Sequence, residues 1–414
     1  MMRSLSVAIA ALRNHQLFMD VISSNISNVN TVAYKGSRVS FKDLLSQMLR
    51  GSSAPQGNLG GLNPIQVGLG MSLGSVDTLF TQGSLQDTGK LTDLAIQGDG
   101  FFVVDNGQGG YLYTRDGNLD VGVDGTLLNL STGMKVLGWR ADPATGLIDS
   151  AGPLETLEIP FGQNMARATS QVVLRGNLDA EATGPYTATI AIYDSLGVFH
   201  SVDITFTKGA GNSWSWTASK TDAGDTGMGD PTASGTDITF NTDGSYATTN
   251  PTTSITVPFT NGAESPVTIA LDFSALTQLA ADASNVSMSS QNGLPPGSLT
   301  TFNVTSAGEI FGIFSNGINR VLGQIALAKF INPGGLIKMG QGMFTPSPNS
   351  GTAQVGLPNT DGRGTITAGY LEMSNVELAQ QFTNMIVAQR GFQANSRVIS
   401  ASDEMLQELV NLRR

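Results

Sequence analysis

Apolar residues recur at a heptad spacing near both ends of the chain. Near the N-terminus, seven of eight positions in alternating steps of three and four are apolar, and the series is Leu5, Ala8, Leu12, His15, Met19, Ile22, Ile26 and Val29. Near the C-terminus, every seventh residue is apolar, at Leu371, Leu378, Met385, Phe392, Ile399 and Leu406. This period is typical of a coiled-coil seam. It predicts a long helix at each end of the chain.

A helix with so narrow an apolar stripe is marginal in water by itself, so each end needs a partner. The second C-terminal column is only weakly apolar and consists of Ala388, Asn395, Ser402 and Leu409. In one arrangement, the two ends pair within a single chain as a helical hairpin. In the other, they also pack laterally against neighbouring chains and stay disordered until they do. The sequence leaves both arrangements open.

Composition excludes several classes of function. The 414 residues include no Cys and only His15 and His200, which excludes disulfides, Cys-ligated metals, a thiol nucleophile and a His-rich metal site. The net charge of −11 does not favour nucleic acid as a partner. No run of 18 apolar residues is present, so we expect no membrane insertion. The apolar run Leu5–Leu12 has no convincing cleavage site after it, so we expect no cleaved signal peptide.

The sequence pattern in the middle of the chain predicts β structure. Short apolar runs at Phe101–Val104 and Tyr111–Tyr113 alternate with Asp-Gly turns, which predicts strands joined by tight turns. In a later block, Val202, Ile204 and Phe206 alternate with polar residues and predict a strand with one buried face. That block, residues 164–300, has 4 basic and 12 acidic residues, so it holds −8 of the total charge.

We therefore predict a mainly β chain with α-helical coiled-coil termini, arranged as a nested, multidomain rod. Residues 51–61 are rich in Gly and Ser and predict an adaptable segment. The predicted parts are a terminal helical domain (1–29 and 370–414), a connector (30–72), an inner β domain (73–163 and 301–369) and an inserted outer β domain (164–300).

Two glycine-rich stretches resemble nucleotide or nucleophile motifs and fail on spacing. Gly83–Lys90 has five residues between its glycines where a phosphate loop has four, and Leu91 stands where Ser or Thr is required. Gly68–Gly74 misses the dinucleotide pattern, and its nucleophile-elbow match at Ser72 has no helix after it. We predict no catalytic residues and no cofactor.

Metal and acid–base sites have equally little support. Asp222, Asp225 and Asp230 lie in a Gly-rich stretch but lack the alternate-residue spacing of a calcium loop. His15 lies in a predicted helix seam and His200 in a predicted strand, and neither has a motif around it. We predict no metal site and assign structural roles to both histidines.

The segment after the first helix carries a family motif. Its matching residues are Asn25, Asn28, Thr31, Tyr34 and Lys35, within Ser24–Lys35. This segment resembles the Ala-Asn-x-x-Asn-x-x-Thr-x-Gly-Tyr-Lys signature of bacterial flagellar rod, hook and hook-associated proteins. Ala33 stands where the family typically has Gly, and Ala is restricted where Gly could take a positive φ.

Three other segments are similar to the same family. They are Leu94–Val104, Gly340–Phe344 and the stretch from Ser374 to Arg397, so the resemblance covers both ends and the inner β block. Rod members typically lack an added outer domain as large as residues 164–300, so the resemblance favours a hook-type member. It implies a structural subunit of a curved, bendable tube that acts as a universal joint and transmits motor torque for motility.

The resemblance also implies the partners. The first partner is the chain itself, in a helical homopolymer whose inner tube is built by the terminal seams, at Leu5, Leu12, Met19, Ile26, Leu378, Met385, Phe392, Ile399 and Leu406. The others are the distal rod protein, the hook cap protein, the hook–filament junction protein and the flagellar type III export apparatus. The expected location is the hook at the cell exterior, reached without a cleaved signal. Alternatives are a distal rod or hook–filament junction protein, or an extracellular β-rich enzyme or glycan-binding protein with oligomerisation tails.

Overall fold

The computed structural model describes residues 2–52, 54–55, 60–142, 146–162, 164–234, 237–247 and 253–411. Over these residues the chain is mainly β, with helix α1 (Met2–Ser27) at one end and helix α2 (Leu378–Asn411) at the other. The two helices pack against each other. This confirms the predicted fold class, a mainly β chain with helical termini.

The chain forms two compact units. Unit 1 comprises residues 1–159, 303–311 and 321–414, and unit 2 comprises residues 160–302 and 312–320. The strands up to residue 156 are β1 (Ser37–Asp43), β2 (Ser46–Arg50), β3 (Ile65–Gly68), β4 (Met71–Thr78), β5 (Leu85–Asp87), β6 (Leu94–Gln97), β7 (Phe101–Asp105), β8 (Tyr111–Thr114), β9 (Leu119–Val121), β10 (Leu127–Asn129), β11 (Leu137–Arg140) and β12 (Glu155–Thr156).

The remaining strands are β13 (Asn164–Arg167), β14 (Gln171–Asp179), β15 (Tyr186–Tyr193), β16 (Phe199–Lys208), β17 (Ser213–Lys220), β18 (Thr232–Ser234), β19 (Ile238–Thr239), β20 (Thr253–Val257), β21 (Val267–Leu279), β22 (Ser287–Gln291), β23 (Leu294–Val304), β24 (Glu309–Phe314), β25 (Asn319–Ile325), β26 (Leu327–Lys329), β27 (Ile337–Gly340), β28 (Met343–Thr345), β29 (Gln354–Gly356), β30 (Thr365–Ala368) and β31 (Tyr370–Glu372). A short 3-10 helix spans Pro333–Gly335.

Unit 1 contains a six-stranded sheet in the order β27-β28-β8-β7-β26-β29, which confirms the two strands predicted at β7 and β8. Its core is aromatic: Phe101 packs edge to face against Phe330 and Phe344, and Tyr113 does so against Phe330, with centroids 4.9–5.8 Å apart. Such pairs add specific geometry to burial. Unit 1 also contains the two-stranded pairs β1–β4, β2–β3, β5–β31, β6–β30 and β9–β10. In addition, β11 pairs antiparallel with β12 and with residues 323–325 of β25.

Unit 2 is a two-sheet sandwich. A five-stranded sheet in the order β18-β20-β21-β14-β22 and a four-stranded sheet in the order β15-β16-β17-β19 share one apolar core. The predicted alternation on β16 is confirmed, because Val202, Ile204 and Phe206 are buried. Since alternate strand residues face opposite sides, this pattern lines one inner face of a sandwich.

The heptad pattern continues beyond both helices. α1 ends before Val29, and Leu371 lies in β31, where it pairs with Gln86 of β5. The prediction that the C-terminal seam begins at Leu371 was therefore wrong. Pairing with a strand almost 300 residues earlier in the chain decides the conformation of this segment, and a local period does not detect that.

The predicted connector contains more regular structure than its composition indicates. β1, β2, β3 and the start of β4 all fall within residues 30–72. Every residue of β2 and β3 is exposed. Within the Gly- and Ser-rich stretch 51–61, residues 53 and 56–59 lie outside the described residues.

Candidate assembly site

Several small side chains of α1 and α2 are buried. Ala8 and Ala11 of α1 are buried, and so is Ala388 of α2. At Gly391 an added Cβ would lie only 2.6 Å from the His15 ring, so glycine allows the helices to approach closely there. The close approach of α1 and α2 at this point therefore depends on a glycine, a residue that a search for large apolar side chains does not select.

Most of the predicted seam residues are partly covered in the single chain. Leu5, Leu12, Met19 and Ile26 of α1 are half-buried, as are Met385, Ile399 and Leu406 of α2. Leu378 and Phe392 are exposed, at 41% and 37%. The second C-terminal heptad column, which is only weakly apolar, contains Ala388 and Ser402, and both of these are buried. That these seam residues contact another copy of the chain stays a prediction.

α2 carries large apolar side chains that the described part of its own chain does not cover. Leu378, Phe382 and Ile386 follow one another at four-residue steps, so they share one side of the helix. The exposed set on α2 is Leu378, Phe382, Ile386, Val387, Phe392, Val398, Met405 and Val410. A row of exposed apolar residues on one element typically marks a surface that another molecule covers.

The motif residues form the turn between α1 and β1. The buried Asn25 side chain accepts a hydrogen bond from Ser37 N (2.9 Å), and its amide donates to Ser37 O (2.7 Å) and to Gln381 Oε1 of α2 (3.3 Å). Tyr34 Oη donates to Asn25 Oδ1 (3.3 Å), and Thr31 Oγ1 donates to Asn28 Oδ1 (3.1 Å). These hydrogen bonds stabilise the turn from α1 into β1, and the bond from Asn25 to Gln381 also connects the turn to the first part of α2.

Ala33 has a φ of 56°, which lies in the left-handed region that favours glycine. This is the position where the family motif typically has Gly. Its N–H donates to Glu372 O at 2.7 Å. The surrounding hydrogen bonds therefore hold an alanine in a conformation that alanine adopts at some cost.

Lys35, the last motif residue, is part of a buried ion cluster. Its Nζ lies 2.6 Å from Glu372 Oε1, and Arg115 Nη1 lies 3.3 Å from Glu372 Oε2. All three side chains are almost fully buried. Burial lowers the pKa of Lys35, and Arg115 acts in the same direction, whereas the Glu372 carboxylate acts to raise it.

Sequence reasoning missed Glu372 and Arg115. The one available signal is a glutamate within the apolar strand β31, which is unusual because a buried carboxylate needs a partner. The partner cannot be identified locally, because Lys35 lies 337 residues away along the chain and Arg115 lies 257 residues away.

The near-motifs have ordinary structural explanations. An added Cβ at Gly83 would lie 2.0 Å from Met373 O, so close backbone approach requires glycine there. Ser72 lies within β4, and the strand does not turn into a helix as a nucleophile elbow must. Within the part of the chain that the structure describes, no group of three or more His, Cys, Asp or Glu side chains could hold a metal ion.

His200 joins two loops of unit 2. Its Nδ1 lies 2.6 Å from Asp225 Oδ2, and its Nε2 lies 3.4 Å from Asp194 Oδ2. Burial acts to raise the pKa of both carboxyls, but hydrogen bonds from His200, Asn261 and backbone N–H groups outweigh it and hold both pKa values below the ordinary value. Two of the aspartates that lack calcium-loop spacing therefore have separate roles, since Asp225 binds His200 and Asp222 accepts a hydrogen bond from Gly224 N.

These depressed pKa values predict how unit 2 responds to acid. The stability that Asp194 and Asp225 contribute is complete above the ordinary pKa of 3.8 and is lost as the pH falls below it. Fluorescence of Trp214 and Trp216 in a Trp139→Phe background would follow unit 2 during acid titration. Asp194→Asn should be less stable at neutral pH and lose less stability in acid. Parallel acid transitions for both proteins would contradict the prediction.

Four regions of the chain match family models. Residues 5–35 match the model described as flagella basal body rod protein, and residues 95–173 match the flagellar hook protein FlgE/F/G D1 domain. Residues 164–294 match the flagellar basal body protein FlaE D2 domain, and residues 367–412 match the flagellar basal body rod FlgEFG protein C-terminal model. None of the described helices is long and apolar enough to cross a membrane.

Relatives match the chain over its whole length. It is 38% identical over 449 residues to flagellar hook protein FlgE of Borreliella burgdorferi and 38% identical over 466 residues to FlgE of Treponema pallidum, with 100% of both chains covered in each comparison. It is 30% identical over 415 residues to flagellar basal-body rod protein FlgG of Bacillus subtilis, again with 100% of both chains covered. The chain therefore belongs to the flagellar hook protein FlgE family, a family of structural rather than enzymatic proteins of the bacterial flagellar hook.

Proposed function

We propose that this hook subunit polymerises through its terminal helices into a curved, bendable tube that transmits torque from the motor to the filament. The observation that carries the proposal is the row of uncovered apolar residues on α2, which includes Leu378, Phe382 and Ile386. A helix that is already paired with α1 and still exposes such a row has a second surface to bury.

The inner tube is the first element of this mechanism. Met385, Ile399 and Leu406 are half-buried, and the exposed Phe392 belongs to the same heptad column of α2. Lateral packing of these side chains against a neighbouring copy would form a dry interface. Dry, close-packed interfaces resist sliding, so this layer would carry torsional load.

The β2–β3 hairpin is the second element. Its apolar side chains are exposed, with Met48 at 57% and Leu49 at 60%, and Leu45, just before β2, is exposed at 82%. An apolar hairpin without cover in its own chain would gain stability by contacting a neighbouring subunit. We propose that this part of the connector adjusts its contacts as subunits move relative to one another.

The polar block at residues 164–300 is the third element. Its net charge of −8 and its Thr- and Ser-rich surface favour wet contacts that break and re-form more easily than dry ones. Such contacts between neighbouring copies would allow the tube to bend while the inner helices remain packed.

Removal of residues 164–300, with a short Gly-Ser linker in their place, should leave tube formation intact and alter bending. The apolar core of unit 2 uses side chains from Val172 to Val286, and the core of the six-stranded sheet uses none of them. Asn164 pairs with Ser298, so the chain enters and leaves this block side by side. Electron micrographs would give tube formation and curvature. Loss of folding in the truncated protein would contradict a nested insertion.

The partners proposed by resemblance follow from a place in the hook. They are the distal rod protein at one end, the hook cap and hook–filament junction proteins at the other, and the flagellar type III export apparatus. A distal rod subunit is the second candidate function, and the full-length match to flagellar basal-body rod protein FlgG of Bacillus subtilis favours a place in the rod. A deletion strain distinguishes them, because loss of a hook subunit leaves a complete rod without a hook.

Polymerisation of the purified chain is the direct test. Negative-stain microscopy after concentration, or after addition of a precipitating salt, should show tubes. Salts of this kind strengthen apolar burial, so they favour the helix contacts that we propose. A chain that keeps both helices ordered and stays monomeric under every condition would contradict the proposal.

A further inference from the structure

The segments that leave α1 and enter α2 are tied together at one point. Ala33 N donates to Glu372 O (2.7 Å), and Lys35 Nζ bonds to Glu372 Oε1 (2.6 Å). Three residues after Glu372, Asn375 Oδ1 accepts from Gly36 N (2.9 Å). The chain segments that join both helices to the rest of unit 1 therefore meet at one carboxylate. α1 also packs directly against β1 and β4, where Asn14 donates to Met71 O (2.9 Å).

The same carboxylate reaches the β core. Gly83 N donates to Glu372 Oε1 (2.9 Å), and Arg115 Nη1 donates to Oε2 (3.3 Å). Arg115 Nη2 donates to Gly98 O (2.7 Å), and the guanidinium carbon lies 5.4 Å from the centre of the Phe101 ring. Phe101 belongs to the core of the six-stranded sheet. Glu372 thus joins the helix exits to that sheet through directional bonds.

This cluster is poorly designed for stability alone. Two cations share one carboxylate, and all three groups are removed from water, which is costly. Arg115 Nε is buried and has no hydrogen-bond partner. Apolar side chains of similar volume would fill the same space at lower cost. Ionic hydrogen bonds, by contrast, are directional and can fix the orientation of the segments that they join.

We propose that Glu372 is a positioning residue that sets the direction in which the helix pair leaves the β core, and through it the geometry of the polymer. The effect on the polymer rests on the proposed function, whereas the effect on the free chain does not. Lys35 and Arg115 both bind Glu372, and each anchors it further by donating to a main-chain carbonyl, at Thr81 and Gly98 respectively.

The test replaces the whole cluster by apolar residues in a Lys35→Met, Arg115→Met, Glu372→Leu variant. The chain has no Cys, so Gln108→Cys and Gln389→Cys place two spin labels, one beside the six-stranded sheet and one on α2. Both positions are exposed. The matched control is Arg38→Gln, Asp77→Asn, which removes an ion pair that is exposed rather than buried.

We expect the triple variant to unfold at nearly the wild-type temperature, with a broader distribution of label distances and tubes of irregular curvature or none. The control should match the wild type in all three measurements. The inference would be overturned if the label distances in the triple variant were distributed as narrowly as in the wild type. It would also be overturned if the wild-type distribution were itself as broad as the one expected for the triple variant. If the labels respond as expected but wild-type protein forms no tubes, the proposed function fails and the positioning role stands.

A second variant decides the case in which the triple variant does not fold. Glu372→Asp keeps the charge and withdraws the carboxylate by one methylene, so it should fold with a shifted label distance. We do not expect the wild-type label distance in this variant, because Lys35 and Arg115 cannot both move far enough to keep their bonds to the shorter side chain. An unchanged distance, or unfolding of this variant too, would make the cluster a stability element and overturn the inference.

Discussion

Replacement of Phe392 by Asp is expected to abolish tube formation while both β cores stay folded. Phe392 is 37% exposed in the free chain, so a carboxylate there remains hydrated until assembly. Burial of that charge against a neighbouring helix costs several kcal/mol. A penalty of about 3 kcal/mol per contact raises the critical concentration for polymerisation about 100-fold.

Gln393→Asp is the matched control, since it introduces the same residue at the next, exposed and polar position of α2. Sedimentation and negative-stain microscopy would measure polymer formation, and circular dichroism would follow the β structure. Normal tubes from Phe392→Asp would remove Phe392 from the proposed interface. Equal loss of tubes in both variants would show only that added charge opposes assembly.

Replacement of Glu372 by Gln is expected to destabilise unit 1 by about 3–5 kcal/mol, because it leaves two buried cations without a counter-charge. Loss of the carboxylate removes the interaction that raises the pKa of Lys35. In the variant, Lys35 of the native protein therefore loses its proton at a lower pH than Lys35 of the unfolded chain, whose pKa is 10.5. Between these two pKa values the unfolded chain binds more protons, so the stability of the variant increases with pH and its deficit relative to the wild type becomes smaller.

Denaturant unfolding at several pH values would measure this loss. Asp120→Asn is the control, since it breaks the partly exposed Lys90–Asp120 pair and should cost less than about 1 kcal/mol. If Glu372→Gln loses no more than the control, water must reach the cluster. Glu372→Gln also differs from the triple variant, because it leaves the cations in place rather than removing them.

Much of the fold can be predicted from short-range patterns. The heptad period predicts α1 and most of α2, and the alternation at Val202, Ile204 and Phe206 predicts a face of the sandwich. These patterns can be detected in the sequence because every third or fourth residue of a helix lies on one face, and every second residue of a strand does. The family motif is equally local, since it spans a single turn.

The candidate site is less predictable. Gly391 of α2 lies against His15 of α1, and Ala8 and Ala388 are buried, although a hydrophobicity scale ranks these small residues below leucine and isoleucine. Their value lies in the space they leave for the opposite helix, and a single sequence does not contain that information. The exposure of Leu378 and Phe392 likewise depends on the rotation of α2 against α1.

The sequence by itself determined that both ends are helical, that the middle is β, and that no thiol or disulfide chemistry is available, because period and composition are properties of neighbouring residues or of simple counts. Only the tertiary structure decided that Leu371 belongs to a strand, that Gly391 lies against His15 of the opposite helix, and that Lys35, Arg115 and Glu372 meet. Those outcomes depend on segments separated by hundreds of residues, which come together only when the chain folds.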